Sequence, residues 1–192
     1  MTRIFLTVAA CLLAAACQQA GDDQAASGNG SAASRPSSGG GAQSKQSIAD
    51  GLAGAAEHGR FVNALRSAGL DETLSGAQPY TVFAPTDAAF ARLQEGGANA
   101  LLAPENKARL VSILTGHIVP GTVTADDLRK AIDRGNGKAQ IATVGGGTLV
   151  FTRDGDTIAV AGPDGGRGRI NGAESLQSNG VVHAVDTMLM PK

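Results

Sequence analysis

The side chains of this chain that are able to do chemistry are few and scattered. The 192 residues include three histidines, His58, His117 and His183, which lie tens of residues apart. No His-x-x-x-His or His-Glu pair occurs, so no local spacing indicates a zinc or iron site. Serine hydrolysis would need a nucleophile on a strained turn, and the sequence contains no Gly-x-Ser-x-Gly. We therefore expect no catalytic residue, no metal site and no cofactor.

Two glycine-rich stretches are the other segments that could take part in chemistry, as phosphate-binding loops. They are residues 145–147 and 162–168. Neither is followed by a capped helix or by a Lys-Ser/Thr pair, which a phosphate-binding loop requires. We interpret both as hairpin loops.

Basic residues gather near the second glycine stretch. Arg167 and Arg169 flank Gly168, and Arg153 and Lys138 are nearby in the sequence. Two interpretations stay open. The residues form a patch that contacts acidic glycans or lipid headgroups, or they belong to an ordinary solvated face. We keep Arg167 and Arg169 as interaction candidates.

The amino terminus, residues 1–17, has the pattern of a targeting peptide. Arg3 supplies a positive charge, residues 4–13 are apolar, and three alanines at 14–16 form a small-residue cleavage site. The apolar run is shorter than the roughly 20 residues that a membrane-spanning helix needs. The segment therefore predicts export rather than a transmembrane anchor.

Both cysteines of the chain, Cys11 and Cys17, lie in this segment. Residues 13–17 (LAAAC) resemble the cleavage motif of bacterial lipoproteins, and cleavage before Cys11 would leave too short an apolar stretch after Arg3. We expect lipid on Cys17; the alternative is an ordinary secretory signal that contains a cysteine. The remaining chain has no cysteine, which excludes disulfides and thiol nucleophiles there.

Residues 18–45 consist mainly of Gln, Ser, Gly and Ala. Such a segment cannot bury enough apolar surface to offset the entropy of ordering, so we expect a disordered tether. Its root-mean-square reach is about 30 Å. Gln18 follows the cysteine where some lipoproteins carry Asp, and the resemblance to Gram-negative lipoproteins implies the outer membrane.

Composition excludes one class of partner. The formal charge is −1, and the chain has five phenylalanines, one tyrosine and no tryptophan. A nucleic-acid-binding domain would show a basic footprint or a set of stacking aromatics, so we expect no nucleic-acid partner.

From Ser47 onward the sequence predicts helices. Ser47 with Asp50, and Thr124 with Asp127, have the spacing of capping boxes. Thr86 caps a further helix after a buried strand, and its first turn contains Asp87. Gly69 and Gly116 are placed to end helices.

Beyond Gly135 the apolar period changes to two. Residues 140–144, 149–152 and 157–161 are predicted strands, and Asp154-Gly155 is a hairpin turn signal. Residues 170–171, 175–176 and 181–189 complete the set. Helices in the first half and strands in the second favour an α+β fold.

Three segments together resemble the fasciclin family: 80–90 (YTVFAPTDAAF), 114–121 (LTGHIVPG) and 179–186 (NGVVHAVD). The resemblance covers the predicted domain, 46–192. It implies two small sheets forming a wedge with helices packed around them. It also implies a non-catalytic interaction module. Because the chain shows no internal repeat, we expect a single copy of the domain, and we expect that domain to be monomeric.

The resemblance also assigns residues. Thr86, Asp87, Asn179, Gly180 and His183 are its structural signature, and His183 is expected in the core, with a ligand role as the alternative. In many fasciclin domains a Tyr precedes the residue at His117 and the pair is implicated in receptor binding; here Gly116 replaces it. His117 and Pro120 remain interaction candidates, and we expect His117 to be structural.

These observations favour a lipid-anchored, extracytoplasmic fasciclin-domain protein. It would mediate adhesion, or contact a protein or polysaccharide, at the bacterial envelope. The alternative is a periplasmic carrier that holds a small molecule in a cleft, with His117 or His183 contributing a polar contact.

Overall fold

The structure is a computed structural model that describes residues 44–93 and 97–191. The predicted signal peptide, Cys17 and nearly all of the predicted tether lie outside the described residues. So do the side chains of residues 97–99.

Short helices dominate the first half of the described chain. None of them has the length and apolar character needed to cross a membrane, within the residues described. The α-helices are α1 (Ile48–Gly54), α2 (Gly59–Ala68), α3 (Asp71–Ser75), α4 (Asp87–Ala91), α5 (Gly97–Leu102), α6 (Lys107–Thr115) and α7 (Ala125–Arg134), with 3-10 turns at Ala56–His58 and Pro104–Asn106.

Local hydrogen bonds start and end these helices where the sequence predicts. Ser47 caps α1 by accepting from the Asp50 N–H at 3.2 Å, and the Asp50 carboxylate accepts from the Ser47 N–H at 3.3 Å. Thr124 and Asp127 repeat this reciprocal pair at α7. Gly69 ends α2 with a φ of 77°, which a residue with a side chain adopts only at a cost. Both capping boxes are confirmed.

Seven strands supply the β part. They are β1 (Tyr80–Pro85), β2 (Ile118–Pro120), β3 (Lys138–Ala142), β4 (Thr148–Asp154), β5 (Thr157–Ala161), β6 (Arg167–Gln177) and β7 (Gly180–Val185). Their hydrogen-bonded order is β2-β1-β7-β6-β5-β4-β3. β1 and β7 are parallel, and the other neighbours are antiparallel. The α+β class is confirmed.

The long strand β6 joins the two halves of the sheet. Its residues 167–169 pair with β5, and its residues 170–177 pair with β7. The register shifts between Asn171 and Ser175, which marks a bulge where the strand changes direction. The resemblance implied two small sheets, and the structure shows two ladders that share β6 in one hydrogen-bonded order.

Two apolar clusters fill the interior. One lies among the helices and includes Ile48, Phe61 and Leu114. The other lies against the β3–β6 ladder and includes Phe83, Phe151 and Val160. β1 and β7 contribute to both clusters, so these two central strands connect the helical side of the domain to the hairpin side.

Several strands differ from the sequence expectation. β6 is one strand, Arg167–Gln177, where two short strands were predicted, and β7 ends at Val185 rather than at residue 189. β3 occupies Lys138–Ala142 rather than residues 140–144, because the chain turns at Thr143, whose N–H donates to the Gly147 carbonyl at 2.9 Å. β2 was not expected, since its three residues are too few to show a period.

Candidate functional site

The signature residue Asn179 connects three parts of the chain. Its side-chain oxygen accepts from the Ile48 N–H at 2.8 Å, and its amide nitrogen donates to the carbonyls of Leu74 and Gly76, both at 2.7 Å. Asn179 is buried. It therefore ties the start of α1 and the end of α3 to the start of β7.

Gly180 follows it at a position where a side chain does not fit. A Cβ there would collide with the Tyr80 carbonyl oxygen, on the strand that pairs in parallel with β7. The residue also has a φ of 148°, which glycine adopts without strain. The Asn-Gly pair thus serves the packing of β1 on β7.

Thr86 and Asp87 cap helices. The Thr86 hydroxyl accepts from the Ala89 N–H at 3.3 Å at the start of α4. Asp87 accepts from the Arg60 N–H at 2.9 Å, in the first turn of α2, whose own N-cap residue His58 provides no side-chain cap. The sequence placed Asp87 only in its own helix; the cap on α2 joins residues 27 apart.

His117 lies in the core with no exposed surface. Its Nδ1 donates to the Ile113 carbonyl at 2.9 Å, and its Nε2 accepts from the Leu189 N–H at 3.0 Å, so both ring nitrogens have partners. Burial lowers the pKa of His117 from 6.5 to about 4.

This position corrects two expectations for His117. A ring with no accessible surface cannot contact a partner, so we remove His117 from the interaction candidates. For the same reason His117 offers no polar contact to a carried molecule, and burial keeps its ring neutral near pH 7.

His183 lies in the core of β7 and stacks on Phe83, with ring centroids 5.3 Å apart. Its Nε2 donates to the Val123 carbonyl at 2.8 Å. Among the described residues its Nδ1 has no hydrogen-bond partner. Burial lowers the pKa of this ring as well.

Pro120 is exposed at the end of β2, on one edge of the sheet. β1 and β7 separate β2 from β6, on which Arg167 and Arg169 lie. Pro120 is in register with Tyr80 and Gly180, and through them with Gln177 at the carboxyl end of β6, whereas the arginine pair lies at the opposite end of that strand. The separation is therefore larger than the roughly 14 Å of three strand spacings. The structure does not bring these candidates into one site.

The two arginines instead lie in an open groove on the β4–β6 ladder, with a volume of about 590 Å³. We call it the arginine groove. Its charged lining consists of Arg92, Arg153, Arg167, Arg169, Asp154 and Asp186. Lys138, which is near these arginines in sequence, is not part of the lining.

Most charges in the arginine groove already have partners. Both Nε and Nη2 of Arg169 donate to one Asp154 carboxylate oxygen, at 2.8 and 2.7 Å. Arg153 binds both carboxylate oxygens of Asp133, at 3.0 and 3.1 Å. Arg167 forms no ion pair with any residue that the structure describes.

Arg92 has a different kind of partner. Its Nη1 donates to the Asp186 backbone carbonyl at 2.9 Å, and Arg92 forms no ion pair within residues 44–93 and 97–191. Arg92 was not among the predicted interaction residues; it follows α4 and reaches a residue 94 positions later in the chain. Only the tertiary fold brings it to the groove.

Gly168 sets the position of the β6 arginines. Residues alternate in direction along a strand, so Arg167 and Arg169 lie on one face and Gly168 on the other. A Cβ at Gly168 would lie 2.9 Å from the Thr187 Cβ and 3.0 Å from the Asp186 Oδ1. The missing side chain allows close approach, and Asp186 accepts from the Arg169 N–H at 2.7 Å.

The glycine stretches lie in strand connections. Residues 145–147 are between the antiparallel strands β3 and β4, and residues 162–166 connect β5 to β6. In the described ranges, 44–93 and 97–191, no cluster of three or more His, Cys, Asp or Glu side chains is arranged to hold a metal ion.

The described chain begins at the opposite end of β6 from the groove. The Ser44 N–H donates to the Leu176 carbonyl at 3.0 Å, and the Ser178 N–H donates to the Gln46 carbonyl at 2.9 Å. Arg167 begins the same strand. An extended strand of this length spans about 30 Å, less the shortening at the bulge.

Comparisons with known proteins agree with the fold. The family model described as "Fasciclin domain" matches residues 56–191. Protein sll1483 of Synechocystis is 36% identical over 148 residues, covering 77% of this chain and 75% of the relative. The immunogenic protein MPB70 of Mycobacterium bovis is 34% identical over 122 residues, 64% of this chain and 54% of the relative.

An animal relative and a solved structure extend the comparison. Transforming growth factor-beta-induced protein ig-h3 of Sus scrofa is 32% identical over 145 residues, 76% of this chain but 19% of that protein. A FAS1 domain pair from the insect cell adhesion molecule fasciclin I superposes with a TM-score of 0.67 at 16% identity, covering 76% of this chain and 51% of that one. By its three sequence segments, its fold and the family match over residues 56–191, the chain belongs to the fasciclin-domain family.

Proposed function

We propose that this protein is an exported, lipid-anchored adhesion module of the bacterial envelope. Membership of the fasciclin family supports a general extracellular, adhesion-type role. The finer parts of the proposal are the signal peptide, 1–17, lipid on Cys17, the tether, 18–45, and an outer-membrane location. Its partner is an envelope protein or polysaccharide.

The observation that supports the proposal is the position of the arginine groove relative to Ser44, the first residue that the structure describes. Ser44 pairs with the carboxyl end of β6, and Arg167 begins that strand. A domain held through Ser44 by a tether therefore presents the groove at the end away from its attachment. This arrangement suits contact with another surface.

The chemistry of the domain favours binding over catalysis. Each histidine ring is buried and hydrogen-bonded to backbone: His58 donates to the Pro85 carbonyl at 3.1 Å, and His117 and His183 have the backbone partners described above. Asp87 and Asp127 are engaged as helix caps. We therefore propose that the protein is not an enzyme.

The carrier alternative has one observation in its favour. The groove volume of about 590 Å³ is within the range of small-molecule pockets, about 300–1,000 Å³. His117 and His183 do not line the groove, so a carried molecule would be recognised by the arginines instead. Native mass spectrometry of the protein purified from its host distinguishes the two, since a carrier retains a bound molecule of defined mass.

The test of the adhesion proposal uses three strains: the parent, a deletion strain, and one that produces Cys17→Ser. We expect both altered strains to attach less to surfaces and to aggregate less, and Cys17→Ser to leave the membrane fraction. Attachment equal to the parent in both strains would refute the proposal. Membrane partitioning of Cys17→Ser equal to the parent would refute the lipid anchor alone.

A further inference from the structure

We propose that the arginine groove binds an acidic polysaccharide through the carboxylates of its uronic acid units, with Arg167 as the main contact. The inference rests on the proposed adhesion function and names the ligand class for it. Three features of the groove support it. They are a guanidinium with no ion pair among the described residues, an arginine–carboxylate pair of the required kind, and an open floor of small side chains.

Arg167 is the free recognition group. It is exposed, and the structure gives it no ion pair among the residues it describes. A guanidinium presents its N–H donors in a planar fork that matches a carboxylate. Arg167 is two residues from Arg169 on the same strand face, a separation of about 6.6 Å. The groove thus offers the Arg167 guanidinium to a ligand, beside the Arg169 guanidinium, which already binds Asp154.

The Arg169–Asp154 pair shows that the groove accommodates a carboxylate bound to a guanidinium. Arg169 holds the Asp154 carboxylate through two N–H groups, at 2.8 and 2.7 Å. Arg92 adds a positive charge that has no ion-pair partner in the described part of the chain, since it donates to the Asp186 backbone carbonyl. A ligand carboxylate at Arg167 would repeat the Arg169 arrangement in a field made more positive by Arg92.

The floor of the groove suits an extended chain. Thr152, Ala159 and Arg169 are neighbours across β4, β5 and β6, and Ala161 is beside Arg167. The Thr and Ala side chains are short, which leaves an open path across the strands. A polymer with a charge on each repeat can lie along such a path and contact more than one arginine.

A lipid headgroup has the same charge but fits the surroundings less well. The exposed large apolar residues of the described chain are Leu102 and Val144, and neither lines the groove. A membrane-binding site usually combines basic residues with exposed apolar side chains that enter the bilayer. The groove also lies at the far end of β6 from Ser44, the side on which the proposed tether leaves.

The test measures binding of the full-length protein to polygalacturonate by isothermal titration calorimetry at low ionic strength. Neutral dextran is the uncharged control. We expect Arg167→Ala to weaken binding about tenfold, since it removes a charge-assisted hydrogen bond. Arg167→Lys keeps the charge without the fork and should recover only part of the affinity. Arg109→Ala, which removes an exposed arginine of α6 outside the groove, should bind as the unaltered protein does.

Several results would overturn the inference. They are no binding to polygalacturonate, equal weakening by Arg167→Ala and Arg109→Ala, or Arg167-dependent binding to phosphatidylglycerol vesicles that exceeds binding to polygalacturonate. The last result would identify a headgroup site instead. Far-UV circular dichroism of each variant verifies that the fold is retained.

Cell attachment separates this inference from the proposed function. If the deletion strain loses attachment while the Arg167→Ala strain attaches normally, the adhesion function stands and the groove assignment fails. If the deletion strain attaches normally, the adhesion function fails, whatever the calorimetry shows. Loss of attachment in both strains, together with weakened polygalacturonate binding, supports both.

Discussion

The side chain of Asn179 accepts a hydrogen bond from the Ile48 N–H at 2.8 Å, across 131 positions of the chain. The same side chain donates to two carbonyls at the end of α3. One buried amide thus satisfies backbone groups of two helices, which would otherwise be left without partners in the core. Asn179 of the signature segment therefore has a structural role, which is to hold α1 and α3 at the start of β7.

We expect Asn179→Ala to lower the free energy of unfolding by about 2–4 kcal/mol, because it removes three hydrogen bonds and leaves their buried backbone partners unsatisfied. Urea denaturation measures the change. Asn171→Ala, at an exposed position in the β6 bulge, is the matched control and should change stability by less than about 0.5 kcal/mol. Equal effects of the two substitutions would contradict the assigned role.

Asp87→Ala should destabilise the protein by about 1 kcal/mol, the usual value of a helix cap, because the Arg60 N–H loses its acceptor. Asp87→Asn keeps an acceptor oxygen and should lose less than Asp87→Ala. Thermal unfolding of the three proteins tests this order. If Asn and Ala were equally destabilising, the hydrogen bond to α2 would not be the cause.

The stability of the domain should fall as the pH is lowered from about 6.5 to about 4, because His117 has a pKa of about 4 in the folded state and 6.5 as its ordinary value. In that window the unfolded chain binds a proton that the folded chain does not. The contribution is fully present above pH 6.5 and amounts to about 3 kcal/mol, on the scale of 1.4 kcal/mol per pKa unit.

NMR titration of the His117 ring protons measures this pKa directly. His117→Gln provides the second measurement, since it removes the titrating group, and the difference between its unfolding free energy and that of the parent should change between pH 4 and 6.5. A ring that titrates near 6.5 in the folded protein would contradict the prediction.

Gly168→Ala should destabilise the protein by about 1–3 kcal/mol, because the added methyl group would be forced against Thr187 and Asp186. It should also weaken polygalacturonate binding, since β6 must shift and carry the arginines with it. Gly54→Ala is the matched control: nothing lies within 4 Å of its Cβ position, and it should be neutral or slightly stabilising. Chemical denaturation of both variants provides the comparison.

Features set by neighbours in sequence could be predicted. Ser47 and Asp50 are three residues apart, and their reciprocal hydrogen bonds follow from that spacing alone. The hairpin turn after Asp154 likewise follows from local preference; its two residues are Gly155, with a φ of 60°, and Asp156. The fasciclin fold followed from three segments whose order and spacing together are specific.

Features set by distant parts of the chain could not be predicted. Arg92 joins the groove through a contact with Asp186, and nothing near Arg92 in the sequence indicates that neighbour. The pairing of Asp87 with α2 has the same origin. His117 is a partial exception, because its neighbours Leu114 and Ile118 are apolar and buried, a local sign that agrees with the structural role expected for it.

The attachment of residues 44–46 beside the end of β6 has a mechanical consequence. In the proposed anchored protein, tension between a ligand in the groove and the lipid would be applied at the two ends of one strand. The covalent backbone of β6 would transmit this load, and the hydrogen bonds that hold residues 44–46 at Leu176 and Ser178 would lie on its path. The strength of those bonds would then set how firmly the first described residues stay on the domain under tension.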